Sequence, residues 1–291
     1  MKPTADLLAP ASEPVTGRPR TGRSGTLVVG AVLTAAIALF ALVSVLWQPY
    51  ASDDTSGGRL TGPSGDHLLG TDKLGRDLFT QLMTGSRIAF EAGLGSVLIA
   101  ATLGITLGVL AAFAQGWLDD TLSALLDILI AFPTLLLAML IVAAHSATLG
   151  SAVLAIGLAQ SAVVGRLVRI LVKRVLAQDY ITAARTSGTS WPRTVVGHVL
   201  PNIWPTLVVN LALQFGLAVL AEAGLSYLGL GAPPPNASWG GMLQEAQATF
   251  TTAPAGALAP GVLLVLLVIG VNLIADGLRD TLDPATRQRR S

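Results

Sequence analysis

Residues Arg166 to Asn202 read RLVRILVKRVLAQDYITAARTSGTSWPRTVVGHVLPN. Six basic side chains lie here: Arg166, Arg169, Lys173, Arg174, Arg185 and Arg193. On either side stand the apolar runs 147–165 and 203–228, neither holding a Lys or Arg. About 20 apolar residues cross the roughly 30 Å hydrocarbon layer of a bilayer. The stretch therefore reads as a charged connection between two membrane spans. Working outward, further apolar runs lie at 27–47, 88–113, 124–144 and 256–275. With barely a turn between 124–144 and 147–165, those two should form a tight hairpin. The fold class is an all-α polytopic membrane protein with six transmembrane helices.

The whole composition agrees. Of 291 residues, 52% are hydrophobic and 12% charged, where a soluble domain carries about 25% charged. Too few charges remain to wet a globule, which excludes a soluble fold, a disordered chain and a nucleic-acid binder. There is no cysteine, hence no disulfide or thiolate site. The first run, Leu27 to Trp47, is longer than a signal peptide's apolar region and lacks a small-residue cleavage site, so it reads as a retained helix. If both termini are cytoplasmic, fourteen Lys and Arg fall inside and four outside. The positive-inside rule then sets the 166–202 loop and both tails in the cytoplasm. The organisation expected is a disordered cytoplasmic tail 1–26, a first helix with an extracytoplasmic loop over 27–87, a five-helix core 88–276, and a cytoplasmic tail 277–291.

Catalytic patterns are missing. No G-x-x-x-x-G-K-[ST] loop occurs, so the chain should not bind nucleotide itself. No H-E-x-x-H or G-x-S-x-G is found either. No catalytic residue, metal ligand or cofactor of its own is expected. Three acids fall in or near spans, Glu91, Asp127 and Glu222. Intramembrane acids are functional candidates, and each could equally be solvated or paired at an interface.

Within the 166–202 loop the basic residues recur at helical spacing, so the fourth helix should run on into the cytoplasm. Thr182-Ala183-Ala184 and Gly188 then mark a short small-residue helix with a glycine stop, and a second short helix should end before Pro201. Arg185 reads as an exposed residue whose ion pairs contribute about 0–1 kcal/mol. The stretch resembles the E-A-A-x3-G-x9-I-x-L-P loop of permease subunits of ABC importers, with Thr182 in place of Glu and His198 in place of Ile. Other stretches are similar to the C-type permease of the dipeptide/oligopeptide branch: HLLGTDKLGRDLF (His67 to Phe79), GSRI (Gly85 to Ile88), DILIAFPTLLLA (Asp127 to Ala138), EAGLSYLGLGAPPPNASWGGML (Glu222 to Leu243) and DGLRDTLDP (Asp276 to Pro284).

The resemblance implies a type I ABC importer permease (MetI-like) fold. It implies as partners a second homologous permease, one or two P-loop ATPase subunits that bind the ATP, and an extracytoplasmic substrate-binding protein, all set in membrane lipid. Thr182, Ala183, Ala184, Gly188, Leu200 and Pro201 would couple to the ATPase. Peptides are the implied substrate, with nickel or a nickel chelate as the alternative and a secondary transporter the more remote one. The segment from Gly229 to Phe250, with three successive prolines, reads as stiff and non-helical. With Glu222 and Trp239 it is a candidate outer gate or docking surface for the binding protein, or else a rigid connector.

Overall fold

The protein's structure is a computed structural model that describes residues 23–114 and 116–282. The disorder expected of 1–26 concerns residues that lie, up to 22, outside those described, and so does the end of the tail expected at 277–291. Helix α1 (Arg23–Leu46) leads through the 47–77 loop to α2 (Leu78–Phe113). Helix α2 starts well before the apolar run at 88, because Asp77 caps it: its carboxylate accepts the Thr80 amide at 2.7 Å. The segment 78–87 is polar because it packs under other protein rather than lipid, not because it is a loop.

The third span is broken. Helices α3 (Trp117–Ala131) and α4 (Thr134–Ala143) bend by 89° at the Phe132-Pro133 step. Proline lacks the amide donor, and it drives the residue before it to extended backbone; Phe132 sits at φ −82°, ψ 131°. Helix α5 (Leu149–Leu176) follows after a short turn and carries a Thr148–Ser151 capping box, which is the tight hairpin expected.

Chain direction follows from which residues meet. A Cβ on Gly95 would touch Val153, one on Gly104 would touch Val164, and one on Gly108 would touch Val168. The numbers rise together, so α2 and α5 run parallel. Small residues allow this close approach in a bilayer. The α3–α4 pair must therefore carry the chain back across, and Asp119 at the start of α3 indeed lies against Arg169 and Lys173 near the end of α5. The bent pair is one crossing, and the total among the described residues is six.

Beyond α5 come α6 (Asp179–Thr186), α7 (Trp191–Thr194), a π turn over Val195–Val199, α8 (Leu200–Tyr227), α9 (Trp239–Ala246) and α10 (Ala255–Leu282). Two expectations are corrected here. The short helix does not end before Pro201: it passes through the π turn into α8, which absorbs both Pro201 and Pro205. A wide turn relieves the clash of a proline ring with the preceding carbonyls. The 229–250 segment is not wholly non-helical either. The Pro233–Pro235 stretch is irregular, but Ser238 caps α9 by accepting the Gly241 amide. Helix α10 runs antiparallel to α1, with Gly277 against Leu27 and Gly270 against Leu33 and Thr34. Both described ends of the chain thus lie at one end of the bundle, together with α6 and α7. The 47–77 loop and α9 lie at the other.

Candidate functional site

At the end bearing the chain termini, α6 leaves α5 after the Ala177-Gln178 break and turns its face to solvent. Ile181 is its buried anchor, while Tyr180, Thr182, Ala183 and Thr186 are exposed and Ala184 half-buried. The helix stops in a Schellman arrangement. The Thr189 amide donates to the Ala184 carbonyl at 3.1 Å and the Gly188 amide to the Arg185 carbonyl at 3.0 Å. Gly188 sits at φ +86°, a region that a β-carbon penalises. An added Cβ there would meet nothing within 4 Å, so the constraint is backbone conformation alone.

Arg185 is more than a solvated charge, which corrects the expectation for it. Its guanidinium donates to the Thr189 carbonyl at 2.6 Å and lies 4.0 Å over the Trp191 ring. Trp191 in turn meets Phe113 edge-on, with ring centroids 4.9 Å apart. The chain Arg185–Trp191–Phe113 ties the α6 stop to the end of α2. Tyr180 approaches His198 with centroids 6.4 Å apart, which relates the start of α6 to the π turn. Leu200 and Pro201 are not on α6; they begin α8. The structure therefore divides the residues expected to couple into an exposed face (Thr182, Ala183, with Gly188 as its stop) and the root of the fifth span (Leu200, Pro201).

Three of the four basic residues on α5 are paired with acids of α3. Arg169 Nη2 lies 2.6 Å from Asp119 Oδ1, Lys173 Nζ 2.5 Å from Asp119 Oδ2, and Arg166 Nη1 3.0 Å from Asp127 Oδ1. These pairs clamp the α5 extension to α3. Sequence reading missed Asp119 as their partner. The available signal was Arg169 and Lys173 four apart on one helix face, opposite an acidic pair that precedes the third span. The short helix α6 is thus linked to three spans: covalently to α5, through the aromatic stack to α2, and by way of the paired α5 extension to α3.

At the opposite end Trp239 is 1% exposed, and its Nε1 donates to the Leu82 carbonyl at 3.2 Å. Its ring lies so close to Gly85 that a Cβ there would come within 2.4 Å of Cδ1. Trp239 is therefore a core residue of this end and cannot be the docking surface expected of it. Glu222 is 1% exposed and accepts the Ser226 hydroxyl at 2.6 Å. A cleft of about 260 Å³ lies over Ser226, Gly231, Pro233 and Glu245, with Ala147 of the α4–α5 turn on its edge. Glu91 is solvent-accessible, with Oε1 3.5 Å from Arg87 Nε.

The loop beside this cleft is built on Asp72. Burial works against its ionisation, yet the Arg76 backbone amide, the Gln81 side chain and the Arg76 guanidinium more than offset it and hold the carboxyl below its ordinary range. Arg76 donates to Asp72 Oδ2 and to Glu245 Oε2, each at 2.6 Å, so the loop is tied to α9. His67 Nδ1 lies 3.0 Å from Asp77 Oδ1, on the capping residue of α2.

Comparison with known proteins places this geometry. Residues 104–288 match the family model described as binding-protein-dependent transport system inner membrane component. The chain is 39% identical over 259 residues to the dipeptide transport system permease protein DppC of Alkalihalophilus pseudofirmus, covering 88% of this chain and 85% of that one. It is 40% identical over 223 residues to the glutathione transport system permease protein GsiD of Pectobacterium atrosepticum, covering 77% of this chain and 74% of the relative. Among solved structures, a chain of the inward-facing MetNI methionine ABC transporter superposes with a TM-score of 0.58 at 19% identity, over 70% of this chain and 96% of that one.

Proposed function

The chain belongs to the family of binding-protein-dependent transport system inner membrane components, and from that premise we propose that it forms, with a second homologous permease, the path by which short peptides enter a bacterial cell. It is a multi-pass membrane protein of the ABC importer permease kind. ATP would be bound and hydrolysed by separate P-loop subunits, with no ATPase site in this chain. An extracytoplasmic binding protein would deliver the substrate. Both termini and α6 face the cytoplasm in this reading, and the 47–77 loop and α9 face outward. The substrate class is supported by the dipeptide and glutathione permeases among the relatives.

The observation that carries the reading is α6. It is a small-residue helix exposed on one face, stopped at a left-handed glycine, and fastened to three spans of the bundle. Closure of an ATPase pair beneath such a helix would move it as a lever. Its three attachments would then tilt α2, α3 and α5 together, as rigid-body alternating access requires. The test is reconstitution in proteoliposomes with the second permease, the ATPases and the binding protein. Internal ATP should drive uptake of a labelled dipeptide, and a proton or sodium gradient should not. Uptake driven by the gradient alone would make the protein a secondary transporter. For the orientation, a cysteine placed at the exposed Ser56 should label from outside intact cells; protection there would overturn it.

A further inference from the structure

The exposed face of α8 changes chemistry halfway along. Towards its outer half it presents Leu213, Leu217 and Leu220. Towards its start it presents Asn202 and Thr206, with Asn210 half-buried in the same i, i+4 row. The lipid-facing sides of α1 and α10 differ from this, offering Val28, Val32, Leu39 and Leu42 on one and Leu258, Val262, Val265 and Ile269 on the other. Polar side chains at membrane depth are placed towards a cavity or a partner rather than lipid. Here they do line one, a cleft of about 460 Å³ bounded by Asn202, Pro205, Thr206, Asn210 and Leu213 of α8 and by Arg279 of α10.

Three features of the cleft ask for a ligand. Asn210 Oδ1 is buried without a hydrogen-bond partner, a costly condition unless a donor arrives. Pro205 has no amide hydrogen, so the Pro201 carbonyl one turn below loses its helical donor. Broken backbone of this kind at membrane depth is tolerated where it borders a watery cavity. Arg279 brings a guanidinium to the mouth, and no ion pair among the described residues engages it. Carbonyl acceptors inside and one guanidinium at the rim are complementary to a chain of peptide N–H groups that ends in a carboxylate.

We propose that this cleft is an inner binding site for the transported peptide, in which Asn210 accepts a peptide N–H and Arg279 holds the terminal carboxylate before release. The proposal rests on the peptide-importer reading above. Recognition of backbone and terminus would leave the peptide's side chains unread, so the site would admit many sequences. An anionic lipid headgroup shares the carboxylate's chemistry, and the test has to separate the two.

The probe is dialanine and its C-terminal amide, observed by saturation-transfer NMR on the assembled, nucleotide-free complex in nanodiscs, without binding protein. Dialanine should bind about tenfold more tightly than the amide, as expected of a charge-assisted contact. Arg279→Gln should bring the two within about twofold, Arg279→Lys should restore part of the preference, and Asn210→Leu should weaken both ligands alike. Basal ATP hydrolysis and subunit stoichiometry of each variant report that the complex is intact. Equal binding of acid and amide to the wild type overturns the proposal, as does a preference that survives in Arg279→Gln. Dialanine binding that is lost when phosphatidylglycerol is added to phosphatidylcholine discs, and regained in Arg279→Gln, assigns the arginine to lipid and also overturns it. Wild-type proteoliposomes that import no dialanine would instead sink the peptide reading itself, whereas normal import without acid preference would sink only the cleft.

Discussion

Substitution at Gly188 separates a conformational role from a steric one. At φ +86° with open space around the missing Cβ, the position asks only for tolerance of the left-handed region. Alanine there costs about 1–2 kcal/mol, and a β-branched valine about 1–3 kcal/mol. Asparagine enters that region more readily than other side chains, so Gly188→Asn should cost least despite its size. If 1–2 kcal/mol is charged to the stopped geometry of α6, its population relative to an unwound alternative falls roughly 5- to 30-fold. The lipid-embedded packing should survive, because nothing touches the site. The assay is peptide-stimulated ATP hydrolysis and uptake by the reconstituted complex, with copurification of the ATPases as the control for assembly. The expected order of activity is glycine, then asparagine, alanine and valine. An order that follows side-chain volume instead, with asparagine as damaging as valine, would show that the residue acts by contact with its partner. Full activity in the valine variant would remove α6 from coupling altogether.

Three further outcomes follow from packing and charge. A Cβ on Gly108 would lie 2.5 Å from the Gly165 carbonyl, so Gly108→Val should cost about 1–3 kcal/mol by overpacking and lower the thermal midpoint in detergent; an unchanged midpoint would refute the close parallel α2–α5 pairing. Trp239→Ala should destabilise the outer end by about 3–5 kcal/mol and reduce yield of folded protein, whereas selective loss of binding-protein stimulation with normal stability would return Trp239 to a surface role. Because the Asp72 carboxyl is held below its ordinary range, its stabilisation is present above the unfolded value and lost as pH falls through the lowered folded value. The protection factor of the 57–81 segment, taken against the intrinsic rate at each pH, should therefore fall on acidification below about pH 4, the model carboxylate range, and Asp72→Asn should already show reduced protection at neutral pH.

The spans were legible because apolar length is a strong signal and the bilayer fixes the length required. The α4–α5 hairpin and the glycine stop of α6 were legible for the same kind of reason, a local pattern with a local cause. What the pattern could not tell was which polar residues face protein instead of water. The run 78–87 looked like loop because Gln81, Thr84 and Arg87 dilute its hydropathy, yet Gln81 and Thr84 are buried. The capping signal of Asp77 with Thr80 was there to be read and outweighs that dilution. Pro201 looked like a stop because a proline interior to an α-helix usually is one, but a π turn at Val195–Val199 makes room for it. Trp239 looked like a surface aromatic because prolines precede it, and only the three-dimensional approach of Gly85 shows that it fills a core.

The same fact explains how stretches far apart in sequence depend on one another. The Gly70–Phe79 stretch supplies Asp72, Arg76 and the α2 cap; Gly85 supplies the floor under Trp239; Glu222–Ser226 lies on the helix that α9 covers, where a Cβ on Gly240 would press on the Ala223 carbonyl. Arg76 closes the set by reaching Glu245 on α9. Each stretch is uninformative alone, and each is half of a contact whose other half lies on another stretch. Arg76→Ala would leave the buried Asp72 carboxylate hydrogen-bonded by the Leu74 and Arg76 amides and by Gln81 but without its counter-charge, and would release Glu245 as well. Such an interlocked end makes a rigid cap over α2, α8 and α10. It leaves α3, α4 and the α8 face lined with Leu213, Leu217 and Leu220 less encumbered, so motion started at α6 should be absorbed at the Phe132-Pro133 bend rather than at the cap.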